Sequence, residues 1–102
     1  MKEKGMYKQL VFLRSVEDKE KDEFLMLLPG VKADDVRVNV VKGVINVEGI
    51  SESLFVPSPF YANIELNDYH DAKKTTAYIQ RGILTIEVPY KEGTVFNVNV
   101  EG

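Results

Sequence analysis

The 102-residue chain has no cysteine and no tryptophan. Without cysteine there is no disulfide framework, no thiol redox chemistry and no thiolate metal site. Basic charge is also scarce: 13 Lys and Arg stand against 16 Asp and Glu, a formal net charge of -3. A nucleic-acid surface needs a basic face, so this balance argues against such a partner. Long hydrophobic runs are missing as well. No apolar stretch approaches the length that spans a bilayer, and residues 10–13 are too few for the apolar core of a signal peptide. The expectation is a cytoplasmic protein that binds neither nucleic acid nor membrane.

Catalytic constellations are equally sparse. His70 is the only histidine. It lies between Asp68 and Asp71, and one histidine beside near-sequence carboxylates reads as a polar loop rather than a metal or acid–base site. On that reading His70 is replaceable. Asp34 and Asp35 are adjacent on a turn, point apart and read as solvated. Ser15, Ser51, Ser53 and Ser58 have no histidine placed to activate them. No glycine-rich loop opens a helix, so there is no phosphate cradle. Tyr61, Tyr69, Tyr78 and Tyr90 read as ordinary strand packing. The chain is not expected to be an enzyme, and no cofactor or metal is expected.

What is present is alternation. With 44% hydrophobic and 28% charged residues, the composition is that of one globular domain. Its apolar residues recur with period two almost throughout, so the fold is read as strands. Strands are expected over residues 8–16, 23–28, 36–41, 44–48, 60–66, 75–80, 83–88 and 95–100. In the first, Leu10 and Phe12 face one way. The second is apolar on both faces and reads as central in its sheet. Residues 17–22 form a charged loop. Turns fall at Pro29-Gly30, Lys42-Gly43 and Arg81-Gly82, where Gly82 supplies the positive φ that a tight hairpin demands. Residues 67–74 have no strand period and hold at most a helical turn capped by Asn67 or Asp68. Residues 49–59 form a connection rich in proline and serine that carries Leu54, Phe55 and Val56. Eight short strands without a long helix predict an all-β, immunoglobulin-like antiparallel β-sandwich. Residues 1–8 are read as a short N-terminal arm, 9–90 as the sandwich and 91–102 as a short C-terminal segment.

Two segments carry a family likeness. The first is Leu28-Pro29-Gly30, then Val36-Arg37-Val38-Asn39-Val40, then Ile45-Asn46-Val47-Glu48-Gly49. The second is Ala77 followed by Gly82-Ile83-Leu84-Thr85-Ile86-Glu87-Val88-Pro89. Their order and spacing resemble the two signatures of the α-crystallin domain of small heat shock (Hsp20) proteins. Arg81 stands where that family usually has Asn or Asp. Leu66-Asn67 stands where it often has Leu-Pro. The connection over residues 49–59 is too short for the strand that bacterial and plant members exchange between dimer partners, at about 3.3 Å of reach per residue.

The resemblance implies an ATP-independent chaperone that binds exposed apolar surface on non-native or assembling client proteins and self-associates as a dimer or small oligomer. It also implies a docking groove between the strand at residues 36–41 and the strand at residues 75–80, with Val36, Val38, Val40, Ala77 and Ile79 as its residues. Val98-Asn99-Val100 resembles the tail motif that docks into a neighbour's groove. The same residues also fit a last strand of the sandwich. Leu54 and Phe55 are candidates for an adhesive loop. A reading of another class stands beside these: a non-chaperone interaction or assembly module on the same sandwich, such as a p23-like co-chaperone or a structural component.

Overall fold

The computed structural model describes residues 6–15, 20–51 and 57–102. Its described strands are β1 (Tyr7–Lys8), β2 (Phe12–Ser15), β3 (Lys21–Leu27), β4 (Val36–Val41), β5 (Val44–Ser51), β6 (Ser58–Glu65), β7 (Thr76–Gln80) and β8 (Ile83–Pro89). Single 3-10 turns at Ala33–Asp35 and Ala72–Lys74 complete the regular structure of the described residues. The strands form two four-stranded sheets, ordered β1-β6-β5-β4 and β2-β3-β8-β7. All neighbours are antiparallel except β1 and β6, which run parallel. This is the all-β sandwich that the alternation predicts.

The expected first strand, residues 8–16, is in fact two. β1 pairs with β6 in one sheet and β2 with β3 in the other. Gln9 joins the layers between them: its backbone N–H donates to the Tyr61 carbonyl at 2.8 Å and its side-chain Nε2 to the Leu27 carbonyl at 3.1 Å. Val11 packs on the core at the same crossing. A period-two pattern is blind to such a switch, because both halves alternate. The expected last strand, residues 95–100, is not formed. Residues 95–102 pair with no strand.

Alternation builds the core directly. Register sets Val38, Val47 and Ala62 in one row across β4, β5 and β6, and Val40, Ile45 and Ile64 in the next. The facing sheet contributes Phe24, Met26, Leu84, Ile86 and Val88, all buried with the others in one cluster. Phe60 is fully buried opposite Gly49. A Cβ at Gly49 would lie 2.7 Å from the Phe60 ring and 2.5 Å from the Asp35 carbonyl oxygen. The missing side chain therefore seats the ring.

The two family-like segments meet in space. Arg81 and Gly82 both have positive φ, at 52° and 77°. This is the two-residue turn whose twist matches the flanking strands. The Leu28 N–H donates to the Gly82 carbonyl at 2.6 Å. A Cβ on Gly82 would stand 3.2 Å from the Cα of Pro29. Gly30, at φ 81°, completes the turn that brings Pro29 there, and the Val31 N–H closes it on the Leu28 carbonyl at 3.0 Å.

His70 is not the replaceable loop residue its neighbours imply. It is buried at 4% exposure and forms a bridge with Tyr90 beyond the end of β8. Its Nδ1 accepts the Asn67 backbone N–H at 3.0 Å, so the ring proton sits on Nε2. Nε2 donates to Asp22 Oδ2 at 2.9 Å. The Tyr90 hydroxyl donates to Asp22 Oδ1 at 2.6 Å. Asp22, on β3, is thereby satisfied though buried. The Tyr69 ring packs on His70 at 4.5 Å and meets Tyr90 edge-on at 5.3 Å. The cluster clips the loop after β6 to both β3 and the end of β8.

Candidate functional site

The candidate site is an open edge of the sandwich. Residues 9–11 are too few to carry the chain far between β1 and β2, so these strands lie together at one edge. Each sheet has four strands, which leaves β4 and β7 side by side at the other edge. Both carry unpaired backbone groups along their outer sides. The strip between these two edges, bordered by residues that pack on the core, is the candidate furrow.

Val36, Val38 and Val40 point into this furrow from β4, each half-buried and packed on the core. Ile79 on β7 is also half-buried and packs against the same core. Ala77 lies two residues away on the same face, opposite Ile86, but it is exposed. The edge position of β7 leaves it in the open furrow. Val36, Val38, Val40 and Ile79 are thus partly exposed along this edge, and Ala77 is exposed.

Val98 and Val100 are not part of it. They are 74% and 89% exposed, and Phe96 is 75% exposed. The C-terminal segment neither adds a strand to its own sandwich nor closes its own furrow. Leu54 and Phe55 lie outside the described residues.

A second apolar surface was not anticipated. The outer face of the β2-β3-β8-β7 sheet carries Phe12, Leu25, Thr85 and Tyr78 in one cross-strand row, and Leu27 and Ile83 in the next. Phe12, Leu27, Tyr78 and Ile83 are between 37% and 52% exposed. The signal was in β3, where Leu25 and Leu27 alternate with Phe24 and Met26. That double-sided pattern predicts a central strand, and β3 is central in its sheet. One of its two faces nevertheless looks outward. The rim of that face is charged: Arg14 pairs with Glu23 at 2.5 Å, and Lys21 with Glu87 at 3.0 Å. The other sheet has a polar centre on its outer face, with the exposed Val41 and Ile50 towards its ends. Its rows read Arg37, Glu48, Tyr61 and then Asn39, Asn46, Asn63. Asn46 Nδ2 donates to Asn39 Oδ1 at 3.3 Å.

The arrangement offers binding surface, with an extended furrow suited to strand-like segments and a flat apolar face beside it. The family model described as Hsp20/alpha crystallin family matches residues 14–100. A small heat-shock protein from Xylella fastidiosa superposes with a TM-score of 0.73 at 23% identity, covering 92% of this chain and 95% of that one. HspA from Xanthomonas axonopodis gives 0.71 at 21% identity over 82% and 94%. Heat shock protein 16.0 from Schizosaccharomyces pombe gives 0.71 at 22% identity over 96% and 78%. At these identities the likeness is one of fold. No curated protein sequence matches the chain.

Proposed function

Because the chain belongs to the Hsp20/alpha crystallin family, we propose that it acts as an ATP-independent holdase in the cytoplasm. It binds apolar segments that non-native or assembling proteins expose, and releases them as those segments are buried elsewhere. The observation that carries this reading is the furrow between β4 and β7. An extended client segment can hydrogen-bond to a sheet edge while alternate side chains enter the furrow beside Val38, Val40 and Ile79. Hydrophobic burial supplies the affinity, and any apolar sequence contributes it. That generality suits a protein with many clients. Polar groups at the rim limit how tightly each is held.

Val98 and Val100 have the same form as such a client: an exposed, alternating segment that its own sandwich leaves uncovered. We assign them to self-association, docking in the furrow of a second copy to give a dimer or small oligomer. An occupied furrow is then a guarded one, and clients compete with tails for it.

Light scattering from a heat-aggregated client, without nucleotide, tests the function. The chain should suppress scattering at near-stoichiometric ratio. Ala77→Asp places a charge in the furrow at an exposed position, and should weaken suppression several-fold while leaving the melting temperature close to that of the parent. Suppression unchanged by Ala77→Asp would move the client site away from the furrow. No suppression at all would favour the non-chaperone interaction module.

A further inference from the structure

Among the described strands, β2 is an edge of its sheet, at the side of the sandwich away from the furrow. An edge presents unpaired backbone groups, and proteins guard it with charge, proline or brevity. The other edges are guarded or half-covered. β1 has two residues, one of them Lys8. β4 turns Arg37 and Asn39 outward, and its inward valines are half-buried. β7 sets Thr76 and Gln80 beside Tyr78, and its inward Ile79 is half-buried. Among these edges β2 alone carries a large exposed apolar side chain on each face. Phe12, in the outward row with Leu25, is 48% exposed. Leu13, in the inward row with Phe24 and Ile86, is 61% exposed and stands outside the core cluster.

Such an edge is complementary to itself. A twofold axis normal to the sheet sets two β2 strands antiparallel and keeps each face on its own side, so only residues of like face oppose each other. The registers that remain are centred on Phe12, Leu13 or Arg14. Centred on Leu13, the two Leu13 side chains meet on the inner face, and Phe12 of each copy opposes Arg14 of the other on the outer face. Arg14 holds Glu23 Oε1 through Nε at 2.9 Å and Nη2 at 2.5 Å. The plane of its guanidinium can lie on the opposing Phe12 ring without releasing that carboxylate. The two Phe12 rings become diagonal neighbours, within aromatic reach. Centring on Arg14 instead opposes like charges. Centring on Phe12 requires residues 10 and 11 to continue the strand. The chain there is already crossing to the other sheet, with the Gln9 N–H on the Tyr61 carbonyl at 2.8 Å and Val11 on the core.

We propose that β2 pairs antiparallel with β2 of a second copy about Leu13, joining the two four-stranded sheets that contain them into one sheet through both copies. The interface is isologous, so it closes at two chains. It covers Phe12 and Leu13 of both copies and satisfies the backbone groups of both edges. It does not involve Val98 and Val100, and it leaves both furrows open at the far ends of the pair. The apolar outer faces become continuous, with Phe12 and Leu25 of the two copies at the centre.

The chain has no cysteine, so one introduced residue reads each symmetric register. Full-length proteins bearing Phe12→Cys, Leu13→Cys or Arg14→Cys are oxidised in a glutathione buffer, with Tyr78→Cys as an exposed control on β7. Disulfide-linked dimer is quantified by intact mass without reductant. In the proposed register the two residues at position 13 face each other about 4.5–5.5 Å apart, within disulfide reach. The two residues at position 12, or at 14, lie about 7–8 Å apart on the diagonal, beyond that reach. Those at position 78 are about 33 Å apart across the joined sheet. Leu13→Cys should give several-fold more linked dimer than each of the other three. A larger yield from Phe12→Cys or Arg14→Cys would overturn the register, and equal yields from all four would overturn the pairing. Adding Val98→Asp and Val100→Asp to the Leu13→Cys chain should leave its yield unchanged. Loss of linked dimer there would overturn β2 as an interface separate from the tail. A Leu13→Cys chain that stays single in oxidant but links to a cysteine-bearing, heat-unfolded client would overturn the second copy as the occupant of this edge.

Discussion

Gly82 and His70 show how far single residues carry this fold. Gly82 sits in a left-handed turn and against Pro29 at once. A β-branched replacement meets both the unfavourable φ and the contact. Gly82→Val should cost about 1–3 kcal/mol, visible as a thermal midpoint lowered by roughly 4–8 °C per kcal/mol in a domain of this size. His70 holds Asp22 and the Asn67 N–H together below the surface. His70→Ala leaves the buried Asp22 carboxylate with the Tyr90 hydroxyl alone. A cost of about 1–3 kcal/mol is expected for the unmet polar groups, whereas Asp68→Ala, at an exposed position, should be neutral. Thermal melts of the three variants check both expectations. A His70→Ala midpoint equal to that of the parent would show that the cluster contributes nothing to stability.

At the scale of elements, the contrast is between strands that are needed and a segment that is not. β8 lies between β3 and β7 and buries Leu84, Ile86 and Val88. The C-terminal segment pairs with none of the described strands. Removing residues 95–102 should leave the melting temperature within about 2 °C of the parent, since surface changes away from packed features cost little. Size-exclusion chromatography should then show a smaller species with an uncovered furrow and altered client binding. A midpoint lowered by several degrees would mean that the segment packs on its own sandwich.

For the whole molecule, the decisive feature is the join between β5 and β6. Ser51 and Ser58 are already paired in one continuous antiparallel ladder, so only residues 52–57 remain to connect them. At about 3.3 Å per residue this length cannot both leave the sandwich and return with an exchanged strand. The surfaces expected to serve association are the furrow, the tail and the apolar outer face. Light scattering coupled to size exclusion should therefore find a dimer or small oligomer that dissociates on dilution. A large, concentration-independent shell would show that another surface drives assembly.

Alternation along the chain determined the strands, the inward rows and the turns, because side-chain period and turn chemistry are local properties. Val38 and Val40, Ile45 and Val47, and the Arg81-Gly82 hairpin were legible for that reason. Two short segments in the right order also carried the family. Tertiary structure decided what depends on which strand ends up beside which. Residues 8–16 divide between the sheets, since each half finds a partner in a different layer. Ala77 opens to solvent because its strand is an edge. The outward apolar face of Phe12, Leu27, Tyr78 and Ile83 exists because β3 has one covered face. His70 is buried because Asp22, 48 positions earlier in the chain, arrives beneath it. A sequence window of local residues contains no trace of that carboxylate, and only the closing of the sandwich brings it to the ring.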